Sequence, residues 1–167
     1  MALTNYCEFD EVRAALGVND LELSDAVLSL PVYEIGLIRE LTKISSSLPA
    51  AFSSINDKDE ASRTSAEEDL LSATHLFCVY AVARQAGVPL PMMAPKDIGD
   101  GKATLSRFSG EPFTAVLSGI DAAYNAAKTD LRASLDAYGT TITATKATVP
   151  ITGFARAQRV TDPVTGA

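Results

Sequence analysis

The amino-acid sequence predicts an all-α fold, a small helical bundle with a long loop between its last two long helices and an extended, β-prone C-terminal arm. Three observations predict it. Apolar residues recur three and four apart along the chain from Ser65 to Gly87 and again from Glu111 to Tyr138, the period of amphipathic helices. Prolines and glycines crowd the stretch between them, from Gly87 to Gly110, where little periodicity survives. After Gly139 the composition turns to threonine and valine with almost no acid, which suits extended chain better than helix. The expected division is a helical domain at 1–138 and an arm at 139–167.

The helices follow in order. Phe9, Val12 and Leu16 share one face of a short helix, and Gly17 stands where a left-handed C-terminal residue stops it. Asn19-Asp20 and Ser24-Asp25 bring turn and N-cap chemistry. Pro31 interrupts the apolar stretch from Asp25 to Ile44, because a proline inside a helix removes an amide donor and clashes with the preceding turn. The expectation is a helical turn up to Leu30 and a second helix opened by Pro31, with Ile35, Ile38 and Leu41 as its buried stripe. Ser45 to Arg63 has loop composition: three serines in a row, a Pro-Ala-Ala step and the charge run Asp57-Lys58-Asp59-Glu60, with at most a helical turn around Ala50 to Ile55.

Ser65-Ala66-Glu67-Glu68 reads as a capping box opening the central helix, whose row Leu70, Thr74, Phe77 and Ala81 is widened by Leu71, Cys78 and Val82. A stripe that broad serves more than one neighbour. Gly87 and Pro89 end the helix. Lys102 to Phe108 alternates enough for a short strand or extended arm. The last helix carries the seam Phe113, Leu117, Ile120, Tyr124, Ala127, Leu131, Leu135 and Tyr138, opposite Asp121, Lys128, Asp130, Arg132 and Asp136. From Glu111 to Tyr138 it would be about 40 Å long, and Gly139 is expected to end it.

Length and charge exclude several classes. A chain of 167 residues is one domain and buries roughly 70% of its unfolded surface without a disulfide or metal staple. Lys and Arg number 14 against 21 Asp and Glu, a net charge of -7, which argues against a main task of neutralising nucleic-acid phosphates. Lys102 and Arg107 beside Phe108 are too small a basic-aromatic patch to reverse that. A hydrophobic fraction of 47% excludes a disordered tail, yet no apolar stretch has the length of a membrane span. Met1 to Cys7 lacks the pattern of a signal peptide, and two cysteines, Cys7 and Cys78, fit a reducing compartment better than a disulfide framework. The arm is different in character. From Thr140 on, Lys146, Arg156 and Arg159 face one acid, Asp162, so the arm is +2 and the body -9. It has no periodic face with which to close a core and would reach about 90 Å fully extended.

No catalytic constellation emerges, and no cofactor is expected. His75 and Cys78 lie three apart on the central helix, but a structural zinc site needs four ligands, and both residues fall at or beside the buried stripe, where core packing explains them. Ile98-Gly99-Asp100-Gly101-Lys102-Ala103 fails as a phosphate loop, since Lys96 stands where the first glycine belongs and Ala103 where Ser or Thr should follow the lysine. Asp97 and Asp100 lack calcium-loop spacing. The two glycines suit a tight turn.

The order of elements resembles the head-to-tail adaptor (head-completion, or connector) proteins of tailed bacteriophages. The likeness rests on the loop Lys96 to Leu105, with its Ile98-Gly99-Asp100 step followed by Ala103 to Leu105, and on the opening Tyr6 to Gly17, a short helix leading into an acidic turn. It covers about Tyr6 to Tyr138, while Ser45 to Arg63 is longer than a minimal adaptor needs. The resemblance implies a structural virion protein, not an enzyme, made in the bacterial host cytoplasm and seated at the head-tail junction. It implies a homo-oligomeric ring, typically of twelve copies, beneath the portal protein, extending the DNA channel and offering a platform to a downstream tail or nozzle protein. DNA would pass without sequence-specific binding, and no membrane is involved. In that setting Ile142, Val149, Ile151 and Phe154 are the expected apolar anchors of a portal- or partner-binding arm, with Arg156 and Arg159 as its polar contacts. Ile98, Gly99, Asp100, Leu105, Arg107 and Phe108 are the expected inter-subunit loop. The alternative reading is a bacterial helical protein-binding module, or small regulator, with a disordered tail.

Overall fold

The computed structural model describes residues 3–93, 97–99, 104–106 and 111–147, with side chains described at 3–91 and 113–139. Its helices are α1 (Phe9–Leu16), α2 (Asp25–Leu28), α3 (Pro31–Ile44), α4 (Leu48–Asn56), α5 (Ser65–Gly87), α6 (Leu90–Met93) and α7 (Glu111–Ala147). Between α6 and α7 two short strands, β1 (Asp97–Gly99) and β2 (Thr104–Ser106), pair antiparallel with Ile98 opposite Leu105. Single 3₁₀ turns lie at Leu3–Asn5 and Glu60–Ser62. The described residues are thus all-α but for this hairpin.

Local chemistry sets the early boundaries. Gly17 ends α1 with φ 66°, the left-handed conformation that costs a glycine nothing. Glu8 caps the other end, its backbone N–H donating to the Glu11 carboxylate. Asn19 folds the following turn by accepting from the N–H groups of Leu21 and Glu22 through its side-chain oxygen. Ser24 occupies the N-cap position of α2 but makes no side-chain cap bond. Pro31 separates α2 from α3 and opens the latter, where its missing N–H is harmless.

Four expectations are corrected. The buried stripe of α3 is Tyr33, Leu37 and Leu41, so of the expected stripe Leu41 is buried, while Ile38 is half-buried and Ile35 is 67% exposed. Both rows have helical spacing, and the neighbours α4 and α5 select the former. The helical turn expected around Ala50 to Ile55 is a longer helix, α4, which buries Leu48, Phe52 and Ile55, and the three serines Ser45 to Ser47 precede it outside the helix. The capping box of α5 sits one residue earlier than expected: the Thr64 hydroxyl accepts from the Glu67 N–H, and the Glu67 carboxylate accepts from the Thr64 N–H. The last helix passes through Gly139 and runs on to Ala147. Residues 140–147 are therefore helical, and an extended arm can begin only after them.

The core is organised around α5, which buries Leu70, Thr74, Phe77, Cys78, Ala81, Val82 and Ala86 against α1, α3, α4 and α7. Thr74 is fully buried without penalty because its hydroxyl donates to the Leu70 carbonyl at 2.7 Å. From α7, Ile120, Tyr124, Ala127 and Leu131 complete the core, as their spacing predicts. The two helices are antiparallel: Arg84 pairs with Asp121 at 2.6 Å, the Phe77 and Tyr124 rings lie 5.2 Å apart, and Gly87 admits the Leu117 side chain close to its backbone. This pairing brings α7 level with the start of α5 near Tyr138. The last two turns of α7, about 13 Å of helix at the usual rise, extend past the end of α5.

Candidate interaction surface

Three concavities among the described residues differ in their chemistry. The first, about 640 Å³, lies between α1 and α2 and is lined by Asp10, Asp20 and Asp25 around Arg13. Arg13 is buried and fully committed: its guanidinium donates to Asp10 and to Asp25, each at 2.6 Å, and to the Leu23 carbonyl. That cluster latches α2 onto α1 and leaves no free cation. The second, about 230 Å³, lies among α3, α5 and α7, where the Tyr124 hydroxyl donates to Glu40 and Lys43 donates to the same carboxylate. Glu40 and Lys43 are thus spent on each other, Arg84 of the same lining pairs with Asp121, and the Lys43 contact holds Glu40 below the usual carboxylate range.

The third concavity differs. A groove of about 480 Å³ between α4 and α5 is lined by Asn5, Phe52, Asn56, Leu71, Ser72, His75 and Leu76. Its floor is apolar and firmly held, since Phe52 stacks on Tyr6 with ring centroids 5.0 Å apart. Leu76 stands 45% exposed on one wall. On the wall nearest α1, the His75 Nε2–H donates to the Glu11 carboxylate at 2.8 Å, and this bond lowers the Glu11 pKa. His75 is thus not a core residue: its side chain is 42% exposed and ties α5 to α1. Glu11 serves the α1 cap as well, so one carboxylate joins two elements. The surroundings are acidic. Asp57 follows Asn56, and Glu68 and Asp69 stand one helical turn before Leu71 and Ser72, all three exposed. Lys58 is spent on Glu67, and Arg63 donates to the carbonyls of Ile55, Asn56 and Lys58.

This arrangement offers packing and charge rather than reactivity. Cys7 and Cys78 are free and buried; burial pushes the Cys7 thiol up to about 12 and raises Cys78 well above its ordinary value, the reverse of an activated nucleophile. Among the described residues no three of His, Cys, Asp and Glu gather as a metal-holding group, and no helix is long and apolar enough to cross a membrane.

The expected contact residues fall in other places. Ile98, Gly99 and Leu105 lie in the hairpin, where Ile98 and Leu105 are cross-strand partners. Ile142 belongs to the last turns of α7 instead of an extended arm. Asp100, Arg107, Phe108, Val149, Ile151, Phe154, Arg156 and Arg159 lie outside the described residues. The α4–α5 groove was missed because its residues come from three segments, and one of them was read as loop. The signal present in the sequence was the spacing of Leu48, Phe52 and Ile55.

No family model, no curated protein and no solved structure matches this chain.

Proposed function

We propose that this chain is a structural assembly protein, a head-to-tail adaptor that forms a ring beneath a phage portal, extends the DNA channel and presents a platform for tail components. The observation that carries the reading is the shape of its ends. The last turns of α7 run past the level at which α5 begins, and residues 148–167 follow from that end. A helix that continues past the level where its partner helix begins, followed by a segment with no periodic apolar face, suits contact with other subunits, where ordering costs are met on assembly. The β1–β2 hairpin, which lies between α6 and α7 in the chain, is a second candidate point of contact. The acidic body fits a channel lining, since a surface that does not grip phosphates lets DNA slide.

The α4–α5 groove also favours a second reading, a helical protein-binding module that takes an apolar segment of a soluble partner. Co-sedimentation with portal-containing capsids separates the two. Full-length protein is expected to pellet with capsids, and a chain ending at Ala147 to remain in the supernatant with an unchanged circular-dichroism spectrum. Failure of the full chain to pellet refutes the adaptor and leaves the binding module.

A further inference from the structure

We propose that the groove between α4 and α5 receives the segment Ile151–Arg159 of a second copy of this chain. The inference deepens the ring reading by naming the contact that joins neighbours; of the residues expected in the arm, it leaves Ile142 and Val149 to the portal.

Chemical complementarity points to this occupant. The groove presents Phe52, Leu71 and Leu76 with the amides of Asn5 and Asn56 among them. The chain places three exposed carboxylates next to its lining residues: Asp57 follows Asn56, and Glu68 and Asp69 stand a helical turn before Leu71 and Ser72. None of these carboxylates has an ion-pair partner among the described residues, and the nearby cations Lys58 and Arg63 are already engaged. The segment Ile151-Thr152-Gly153-Phe154-Ala155-Arg156-Ala157-Gln158-Arg159 has two apolar anchors, then two arginines, and no acid. An apolar anchor entering an apolar pocket while arginines meet carboxylates at the rim is the usual anatomy of a specific interface.

Reach decides between the same copy and another. The groove lies beside Ser72 and His75 of α5, which the antiparallel pairing sets level with about residues 128–131 of α7. From Ala147 back to that level is about 24–28 Å along the helix axis. Ile151 is four residues past Ala147 and reaches at most about 14 Å; Phe154 reaches about 24 Å only when fully extended, before any sideways travel around α5. Both anchors therefore cannot seat in the groove of their own chain. A neighbouring copy meets no such limit, and a contact joining arm to groove is heterologous, the kind that closes rings.

The test uses full-length protein and two variants, Leu76→Arg, which blocks the groove at an exposed position, and Phe154→Asp, which disables the arm. Matching circular-dichroism spectra and melting curves establish that both fold. Sedimentation velocity is expected to show concentration-dependent association of the parent chain, monomers for each variant alone, and heterodimers in their equal mixture, because the intact arm of one meets the intact groove of the other. Association of either variant at the parent level overturns the proposal, as does a mixture that stays monomeric. A fluorescent peptide of residues 149–161, titrated onto the Phe154→Asp chain, is expected to bind saturably. Affinity should fall about tenfold or more when Leu76→Arg is added, and should weaken as salt rises from about 0.05 to about 0.5 M. Absence of saturable binding overturns the proposal whatever the capsid experiment gives, so the two readings fail separately.

Discussion

Replacing Gly139 with alanine tests whether the last helix continues through that position. Gly139 lies within α7, and a Cβ added there would meet nothing within 4 Å. Alanine in a helix interior is more favourable than glycine by about 0.8–1.0 kcal/mol, so the substitution should stabilise the protein by up to about 1 kcal/mol. For a chain of this length that is an increase in Tm of about 2–4 °C. If the helix instead stopped at Gly139 with that residue left-handed, alanine would cost about 1–2 kcal/mol and the Tm would fall. The two geometries thus differ in sign. Gly119 supplies the internal standard, since it too lies within α7 with no atom within 4 Å of an added Cβ, and Gly119→Ala should show the full helical gain. The assay is thermal melting by circular dichroism, with amide hydrogen exchange read across residues 136–147. A destabilised or unchanged Gly139→Ala beside a stabilised Gly119→Ala would refute a formed helix beyond Tyr138, and the reach argument for the arm would fall with it.

Three further outcomes are expected. Thr64→Ala removes the hydroxyl that caps α5 and should cost about 1 kcal/mol in urea unfolding, whereas Ser65→Ala should change stability by less than about 0.5 kcal/mol; the reverse order would return the cap to Ser65. Leu37→Ala should cost about 2–5 kcal/mol because Leu37 is 1% exposed, while Ile35→Ala at a 67% exposed position should stay within about 0.5 kcal/mol; equal losses would refute the α3 stripe. The Lys58 hydrogen bond holds the Glu67 carboxyl below its ordinary value, so its contribution is present above an unfolded pKa of about 4.3 and is lost as pH falls through the depressed folded value. Urea melts between pH 7 and pH 3 should accordingly show a shallower acid loss for Glu67→Gln than for the parent chain, and parallel curves would refute the linkage.

What was legible in the sequence follows from how local each signal is. The limits of α1, the break at Pro31 and the long seams of α5 and α7 rest on residues within a turn or two of one another, so spacing and cap chemistry suffice. The α3 stripe is different, because Tyr33-Leu37-Leu41 and Ile35-Ile38-Leu41 are both spaced for a helix, and only the packing of α4 and α5 decides which residues join Leu41 in the core. Of α4 only a helical turn around Ala50 to Ile55 was legible, because the three serines before it and Pro49 resemble a loop, although proline within the first turn is itself a helix-start signal. At Gly139 the sequence offered a stop, but one glycine weakens a helix by only about 1 kcal/mol, less than continuing the ladder of a long, well-packed helix can offset. The groove is the least legible feature of all. Asn5, Phe52 and Leu76 meet only after α4 and α5 have packed, so no sequence window contains it. Its proposed occupant was legible without it: the composition change that separates a -9 body from a +2 tail already divides the chain into two parts of opposite charge. An apolar groove with exposed carboxylates beside it gives that division a physical use. Ile151 and Phe154 stand too close to the end of α7 for both to seat in the groove of their own chain, and a neighbour's groove is open to them.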